Sequence, residues 1–572
     1  MLKPAIVVLV CFLVCACGEP REGLEQTVQE YIEGWIEFYP TRAFAAGHLE
    51  SAFRFESVSQ FRIEAWLRFN RQILEKVDDA VREHSSDEDA DRDLLRRQIL
   101  GELDTWETDR VYENSPMSYA GRVSQALTYI LARDDLAPGE KLRAVAARLG
   151  GIRTVSAQGM SQLKNGRPRS TGRSIPVLEA SARFLEDNLI RIAGEWTTDP
   201  LPEEFVSLCR GAAGDVRALA DHIRDDILPQ ASLPDSMGRE DYSRKLEIFT
   251  GMDMTPEELA EIALQEVEEV RGLMAELARE YRAESYPGQA VPEDFAALVG
   301  GAIEDMEENR EERQQDFLEY FKDLIDRSED FIREQDIATL PEERTLFTAL
   351  SPSHFAGAAV GGVYAAGPFN PGAVTLFYLP TIPDDAPDVA KEGFYRSFNN
   401  HFNTMIITHE IFPGHYMQSK IAASNPRIVR GLFGDGLYVE GWATLCEVIT
   451  LDEGWNGYDK LDRLAHLRKR LENATRAYTS VQVHCFGWGK EEVARFAVEE
   501  GLLAPQFALN LWDRVTGSPL QLTSYFLGFR KFSELLEEEK ERLGEGFELK
   551  SFCDAVLQAG AVSIDRLPDF IR

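Results

Sequence analysis

The chain has 572 residues, and 44% of them are hydrophobic, so there is enough apolar material for a large core. This length allows several domains or one large helical enzyme. Lysine and arginine total 61 against 97 aspartates and glutamates, which gives a net charge of −36. Such an acidic chain is not expected to bind nucleic acid or to dock on a membrane through a basic face.

The N-terminus has the pattern of a secretory signal, because a charged residue, Lys3, precedes an apolar run too short to span a membrane. The run ends in Leu13-Val14-Cys15-Ala16-Cys17-Gly18, which resembles a bacterial lipoprotein box. We predict a signal peptide over residues 1–16, lipid attachment at Cys17 and a tether over 17–23. The anchored protein would face the periplasm, and Gly18 favours the outer membrane. An ordinary signal peptide is the alternative. No later stretch approaches ~20 apolar residues, so membrane contact is predicted only through this anchor.

The region from Leu24 to about Leu228 is predicted to be helical, because apolar side chains recur every three or four positions. Gly150-Gly151 and the run over residues 165–168 predict breaks in it. The Pro-, Gly- and Ser-rich stretch from Leu228 to Gly251 predicts a connection between a helical lobe, about 24–240, and a catalytic lobe, about 250–572. Thr255-Pro256-Glu257-Glu258 has the form of a capping box and predicts a helix that starts at Pro256.

Between Leu340 and Pro387 helix formers give way to Gly, Pro, Val, Phe and Tyr, which predicts two or three short strands. A strand edge near a catalytic metal can hold a peptide backbone by β-augmentation. A small sheet that only packs against the helices is the alternative, and the sequence leaves both open.

The stretch His409-Glu410-Ile411-Phe412-Pro413-Gly414-His415 places two imidazoles and a carboxylate in seven residues. A regular helix would carry the second histidine roughly 240° round from the first, too far to share one metal ion. Pro413 clashes with the carbonyl four residues back, and Gly414 tolerates unusual backbone angles. We therefore predict that the helix unwinds at Pro413-Gly414 and that His415 returns towards His409.

A zinc site needs a third protein ligand, and Glu440 in Tyr438-Val439-Glu440-Gly441-Trp442-Ala443 is the best candidate. Asp435 is a rival. Glu447 lies two helical turns after Glu440 and is predicted to hydrogen-bond a ligand histidine. Glu410 is the candidate general base, which would take a proton from water and pass it to the leaving amine. The alternative is that these groups are satisfied polar residues without a metal.

These motifs resemble the bacterial domain-of-unknown-function 885 family, whose pattern is His-Glu-x-x-Pro-Gly-His-x-x-Gln followed by Glu-Gly-Trp-Ala. His409 to Gln418 and Glu440 to Ala443 match it. The likeness extends to Thr255–Glu258, His484–Trp488, Pro519–Gly528 and Phe552–Leu557.

The resemblance implies a mainly α-helical, zinc-peptidase-like fold in two lobes around a cleft, with a small β element before the metal helix. It implies peptidase-like chemistry with one zinc ion per chain, held by His409, His415 and Glu440, with Gln418 and Glu447 supporting the ligands. Tyr525 and His484 become candidate donors to the oxyanion of the tetrahedral intermediate. A packed aromatic with a satisfied hydroxyl is the alternative for Tyr525.

Some positions depart from the family pattern. Ser480 and Gln482 stand where an aspartate and a glycine are expected, and Cys553 stands where a histidine is usual. Val515 and Leu520 replace a tyrosine and a glycine. None is a proposed ligand, so the departures concern the substrate pocket.

Three functions stay open on the sequence. The first is a lipid-anchored zinc metallopeptidase that cleaves envelope peptides, and the second is a zinc amidase or esterase that acts on a non-peptide substrate. The third is a non-catalytic binding lipoprotein. An exopeptidase would also need a charged group to hold a chain terminus, and Arg476 and Arg514 are candidates. The cysteines outside the signal peptide form no CxxC pair and are expected to be buried free thiols.

Overall fold

The computed structural model describes residues 23–80, 85–351 and 361–572. The predicted signal peptide, Cys17 and nearly all of the tether lie outside these ranges. The described chain is mainly α-helical, as the sequence predicts. Within the described ranges no helix combines the length and the apolar character that crossing a membrane requires.

The first part of the chain is a series of helices. They are α1 (Leu24–Phe38), α2 (Pro40–Ala45), α3 (Gln60–Asp79), α4 (Ser86–Leu103), α5 (Val111–Asn114), α6 (Pro116–Gln125), α7 (Thr128–Ala132), α8 (Pro138–Gln162), α9 (Pro168–Arg183), α10 (Leu189–Gly194) and α11 (Glu203–His222).

The second part contains further helices and a small sheet. Before the candidate site lie α12 (Arg239–Thr250), α13 (Pro256–Ser285), α14 (Phe295–Glu308), α15 (Gln314–Glu334), β1 (Leu346–Leu350), β2 (Gly362–Tyr364), β3 (Thr375–Leu379) and α16 (Asp388–Ser397). The remaining helices are α17 (Asn400–Glu410), α18 (His415–Ala423), α19 (Ile428–Leu432), α20 (Gly436–Asp452), α21 (Lys460–Phe486), α22 (Lys490–Glu499), α23 (Pro505–Gly517), α24 (Gln521–Leu543), α25 (Leu549–Ala559) and α26 (Pro568–Ile571).

In the helical regions one predicted break is wrong, and two predicted boundaries are confirmed. Helix α8 runs through Gly150-Gly151 without a break, and a Cβ on Gly151 would lie 2.3 Å from Cβ of Phe55, so this glycine allows close packing. The predicted connection from 228 to 251 is helical over its second half, where α12 buries Tyr242 and Leu246 completely. The break at 165–168 separates α8 from α9 as predicted. The Thr255 capping box opens α13.

The apolar residues form two large buried clusters. One is built from α1 to α11, between Tyr31 and Ile227, and also includes Val429. The other runs from Tyr242 to Leu567 and also includes Ala90. The change from one cluster to the other falls within the stretch predicted as the junction. The assignment of two lobes around a cleft stays a prediction.

The predicted strands are present and form one sheet in the order β1-β3-β2, with β1 parallel and β2 antiparallel to β3. The central strand β3 is buried along its whole length. Because side chains alternate across a strand, Leu376 and Tyr378 face Leu131 of α7, whereas Phe377 and Leu379 join the second cluster. The sheet therefore links the two clusters.

Candidate metal centre

The helix that carries His409 and Glu410 ends just before Pro413-Gly414, where the sequence predicts that it unwinds. Asn399 caps the start of α17 by accepting a hydrogen bond from the Phe402 N–H, 2.9 Å away. The helix ends at Glu410, and α18 begins at His415 after a short turn. His415 is thereby brought back to His409, and the centroids of the two imidazole rings are 4.7 Å apart.

Two contacts hold this turn. Gly414 lies against the last turn of α17, where a Cβ would be 1.8 Å from the carbonyl oxygen of His409, so any larger residue would force the turn open. The indole N–H of Trp442 donates to the carbonyl oxygen of Pro413 at 3.0 Å. The His-Glu-x-x-Pro-Gly-His and Glu-Gly-Trp-Ala motifs are thus physically joined.

The crossing of α20 and α24 positions two further side chains. The helices meet at Gly441 and Gly528, where an added Cβ on either would lie within 2.4 Å of backbone atoms of the other helix. Glu440 directly precedes the first glycine, and Tyr525 lies three residues before the second. The glycine contact therefore brings Glu440 and Tyr525 to the same place.

Three possible ligand atoms converge here. Oε2 of Glu440 lies 3.3 Å from Nε2 of His415 and 3.8 Å from Nε2 of His409. Ligand atoms about 2.1 Å from a tetrahedral zinc ion are separated by roughly 3.4 Å, which is close to these spacings. Oε2 of Glu440 is buried and has no hydrogen-bond partner in the described chain. A cation fits this set of two imidazole nitrogens and one carboxylate oxygen.

The other nitrogen of His409 is fixed from behind. Its Nδ1 lies 2.8 Å from Oε1 of Glu447, as the sequence predicts, and the other Glu447 oxygen lies 2.6 Å from Nδ1 of His466. Burial raises the pKa of Glu447, but the two histidines outweigh burial and lower it to about 2. When Nδ1–H of His409 donates a hydrogen bond to this carboxylate, the proton stays on Nδ1 and the lone pair of Nε2 is free to bind a metal. Oε1 of Gln418 lies 3.5 Å from Nδ1 of His415.

The charges within the cluster are strongly coupled. Burial lowers the pKa of His415, but the carboxylate of Glu440 outweighs burial and raises it to about 9. Burial raises the pKa of Glu440, and the two histidines bring it below its ordinary value. The cluster thus favours positive charge next to the carboxylate, which a proton or a metal ion can supply.

Glu410 shares a cavity with the cluster. A cavity of about 510 Å³ is lined by Glu410, His415 and Glu440, and Val363 of the edge strand β2 lines it too. The sheet therefore reaches the candidate site, which is what β-augmentation requires.

Tyr525 lies against the cluster. Its ring stacks at 6.4 Å from the ring of His409. Burial and then the charge of Glu440 raise the pKa of Tyr525 above its ordinary value, so the hydroxyl keeps its proton and can donate it to a hydrogen bond.

His484 has a different role from the predicted one. Its Nε2 lies 2.9 Å from the carbonyl oxygen of Val515, and its Nδ1 accepts the backbone N–H of Met237 at 3.2 Å. The single proton of the neutral ring is therefore given to Val515, and none is left for an oxyanion. His484 also stacks on Tyr242, which bonds Ser480, so the departures at 480 and 515 belong to this packed region.

The rival ligand Asp435 is also engaged elsewhere. It caps α20 by accepting from the N–H groups of Leu437 and Tyr438, and it pairs with Arg97 at 2.6 Å. Another described group, His401, Asp459 and Asp462, has ligand-type atoms close together. His401 there already lies 2.6 Å from Asp462 and 3.2 Å from Asn309, so hydrogen bonds use its nitrogens.

Sequence reasoning missed His466 and the role of Trp442 in the turn. His466 lies on α21, and nothing in its own neighbourhood marks it as a partner of Glu447. The four cysteines in the described chain are free thiols: Cys209, Cys446 and Cys553 are buried and Cys485 is half-buried.

Fold and site together define a mainly helical protein with a His-His-Glu cluster, buried at His409 and half-buried at His415 and Glu440, in a cavity beside a small sheet. The sequence profile of the family described as bacterial protein of unknown function (DUF885) matches residues 40–571. The chain belongs to this family. The comparison with curated proteins gives no match.

Two solved structures share the fold. One is a candidate lipoprotein of unknown function from Shewanella oneidensis, with 22% identity and a TM-score of 0.78 over 96% of this chain and 99% of that one. The other is a candidate lipoprotein from Colwellia psychrerythraea, with 17% identity and a TM-score of 0.76 over the same shares.

Proposed function

We propose that this protein is a zinc-dependent hydrolase that cleaves peptides in the bacterial envelope, where Cys17 anchors it. The observation that carries the proposal is the convergence of His409, His415 and Glu440 on one point, where one carboxylate oxygen has no hydrogen-bond partner among the described residues. Two imidazoles and a glutamate, with a fourth position open, form a donor set used by catalytic zinc.

The residues around that point have separable roles. A bound zinc ion would polarise a carbonyl group and make water more acidic. Glu410 lines the same cavity and would take the proton from the attacking water and deliver it to the leaving amine. Tyr525 would donate a hydrogen bond to the carbonyl oxygen as negative charge develops there. Glu447 would keep His409 in the orientation that exposes Nε2.

The sheet favours a peptide as the substrate. Strand β2 is at the edge of the sheet, and Val363 lines the cavity that contains Glu410. An edge strand has free N–H and C=O groups that can pair with an extended peptide. A small amide or ester would have no use for that edge.

The test is a digest of a peptide library by zinc-loaded protein and by the Glu410→Gln variant. We expect the wild type to cleave peptides and the variant to lose about 10²- to 10⁴-fold in rate while it keeps its zinc. The matched control is Glu268→Gln, an exposed glutamate on α13, which should leave the rate unchanged.

Unchanged turnover in Glu410→Gln would refute the mechanism. Zinc binding without any peptide cleavage, together with hydrolysis of small amides or esters, would replace the peptidase by the second function. If the chain binds no zinc and cleaves no substrate, the third function, a binding lipoprotein, becomes the proposal.

A further inference from the structure

A second cavity lies beside the first turn of α17, between that helix, α21 and α23. Its volume is about 310 Å³. Its apolar lining includes Phe398, Phe402, Leu503 and Phe507. Its charged lining consists of Arg468, Lys469, Glu472, Arg476 and Arg514.

The charged lining residues include more positive than negative groups, and Arg468 among them is already paired with Glu307, 2.8 Å away and outside the lining. Glu472 is the one carboxylate among the described residues that line the cavity, and both Lys469 and Arg476 contact it. Lys469 Nζ lies 3.3 Å from its Oε2, and Arg476 bonds its Oε1. Burial raises the pKa of Glu472, but Arg476 and Lys469 outweigh burial and lower it to about 2, so this carboxylate stays charged.

Two guanidinium groups have N–H donors that make no hydrogen bond within the described residues. Arg476 is only 6% exposed, and its buried Nε has no hydrogen-bond partner in the described chain. Within the same ranges the side chain of Arg514 has no hydrogen bond or ion pair. The buried charge of Arg476 is costly unless an anion neutralises it, and Arg514 adds a second, solvent-exposed positive charge. In a chain with a net charge of −36, such a cavity is suited to an anionic ligand.

This cavity is lined by residues of α17 and α21, the helices that also carry His409 and His466. Lys469 lies three residues after His466, about 4.5 Å along α21, and His466 shares Glu447 with His409. Phe402, which lines the cavity, lies two helical turns before His409 on the same face of α17, about 10 Å along the helix. An extended peptide rises about 3.3 Å per residue, so a ligand of about three residues could span from the cavity to the metal centre.

We infer that this cavity binds the C-terminal carboxylate of the peptide substrate, with Arg476 and Arg514 as its recognition groups and the phenylalanines around an apolar last residue. The inference rests on the proposed function and makes the enzyme a carboxypeptidase-type hydrolase that removes a C-terminal residue or short fragment. Guanidinium groups suit this task, because their planar donors match the two oxygens of a carboxylate.

The test is calorimetric binding of matched peptides to the full chain carrying Glu410→Gln, which keeps the peptides intact. One peptide ends in phenylalanine with a free carboxylate, the second is its C-terminal amide, and the third is an amide whose last residue is glutamate. We expect the free acid to bind at least about tenfold more tightly than either amide. Adding Arg476→Gln or Arg514→Gln should remove that preference, whereas Arg470→Gln should keep it, because Arg470 lies on α21 outside the cavity and pairs with Glu266.

Equal binding of acid and amide would overturn the inference, as would a preference that survives both arginine variants. Tight binding of the glutamate amide would overturn the assignment to the chain terminus. Arg514 is solvent-exposed, so its variant tests the inference even if Arg476→Gln does not fold. If the chain prefers the acid but binds no zinc, the carboxylate-binding inference stands and the hydrolase proposal falls. If the chain hydrolyses acid and amide equally, the hydrolase proposal stands and the carboxylate-binding inference falls.

Discussion

The contact between Gly441 and Gly528 positions Glu440 and Tyr525, and Gly528→Ala perturbs it directly. A Cβ on Gly528 would lie 2.1 Å from the carbonyl oxygen of Leu437 and 2.8 Å from Cα of Gly441. Both neighbours are backbone atoms, so no rotamer change can relieve the clash. Helices α20 and α24 would have to separate by about 1 Å to restore van der Waals distance.

The cost follows from two opposing effects. Overpacking a well-packed core costs about 1–3 kcal/mol, and a contact with rigid backbone on both sides belongs at the upper end, about 3 kcal/mol. Replacing glycine by alanine in a helix gains about 1 kcal/mol. We therefore expect Gly528→Ala to lower the free energy of unfolding by about 2 kcal/mol. A shift of about 1 Å at the site should also lower catalytic rate by about 10²-fold.

Urea unfolding, followed by circular dichroism, measures the first effect, and peptide cleavage measures the second. The matched control is Gly272→Ala on α13, where an added Cβ meets nothing within 4 Å and the protein should be slightly stabilised. If Gly528→Ala is as stable and as active as the control, the crossing does not position the site and the reasoning is refuted.

Three further predictions concern single contacts. Glu447→Gln should weaken zinc binding about 10- to 100-fold in a chelator competition, because an amide cannot accept from both histidines; unchanged affinity would contradict this. Trp442→Phe leaves the Pro413 carbonyl without its donor and should cost about 1–3 kcal/mol in urea unfolding, a loss that a fully stable variant would disprove. Burial lowers the pKa of His484 from 6.5 to about 4, so the unfolded chain binds the proton first. Stability should therefore be complete above about pH 6.5 and fall by about 3 kcal/mol as the pH drops to about 4, a dependence that His484→Gln should remove.

The candidate ligands could be predicted because their signals are local. The clash of Pro413 with the preceding turn and the spacing of Glu440 and Glu447 along one helix follow from helix geometry. The strands before the metal helix were marked by a change in composition. These features need no knowledge of how distant segments pack.

Features that depend on tertiary packing were missed or misassigned. A glycine pair within a helical pattern predicts a break, but Gly151 lies inside a continuous helix, where its lack of a side chain lets Phe55 pack against it. His484 lies beside a recognisable Gly-Trp motif, but its partners come from residues 237 and 515. The charge of Arg476 acquires meaning only once α21 is packed beside α17 and α23.

Zinc stoichiometry by elemental analysis tests the central claim most directly. Zinc is added back to the purified wild-type chain and to four variants. Three of them remove a ligand, His409→Ala, His415→Ala and Glu440→Ala, and the fourth is Glu410→Gln. About one zinc per chain in the wild type and in Glu410→Gln, and loss of the metal in each ligand variant, is the predicted result. A wild-type chain that takes up no zinc, or ligand variants that keep it, would contradict the metal centre.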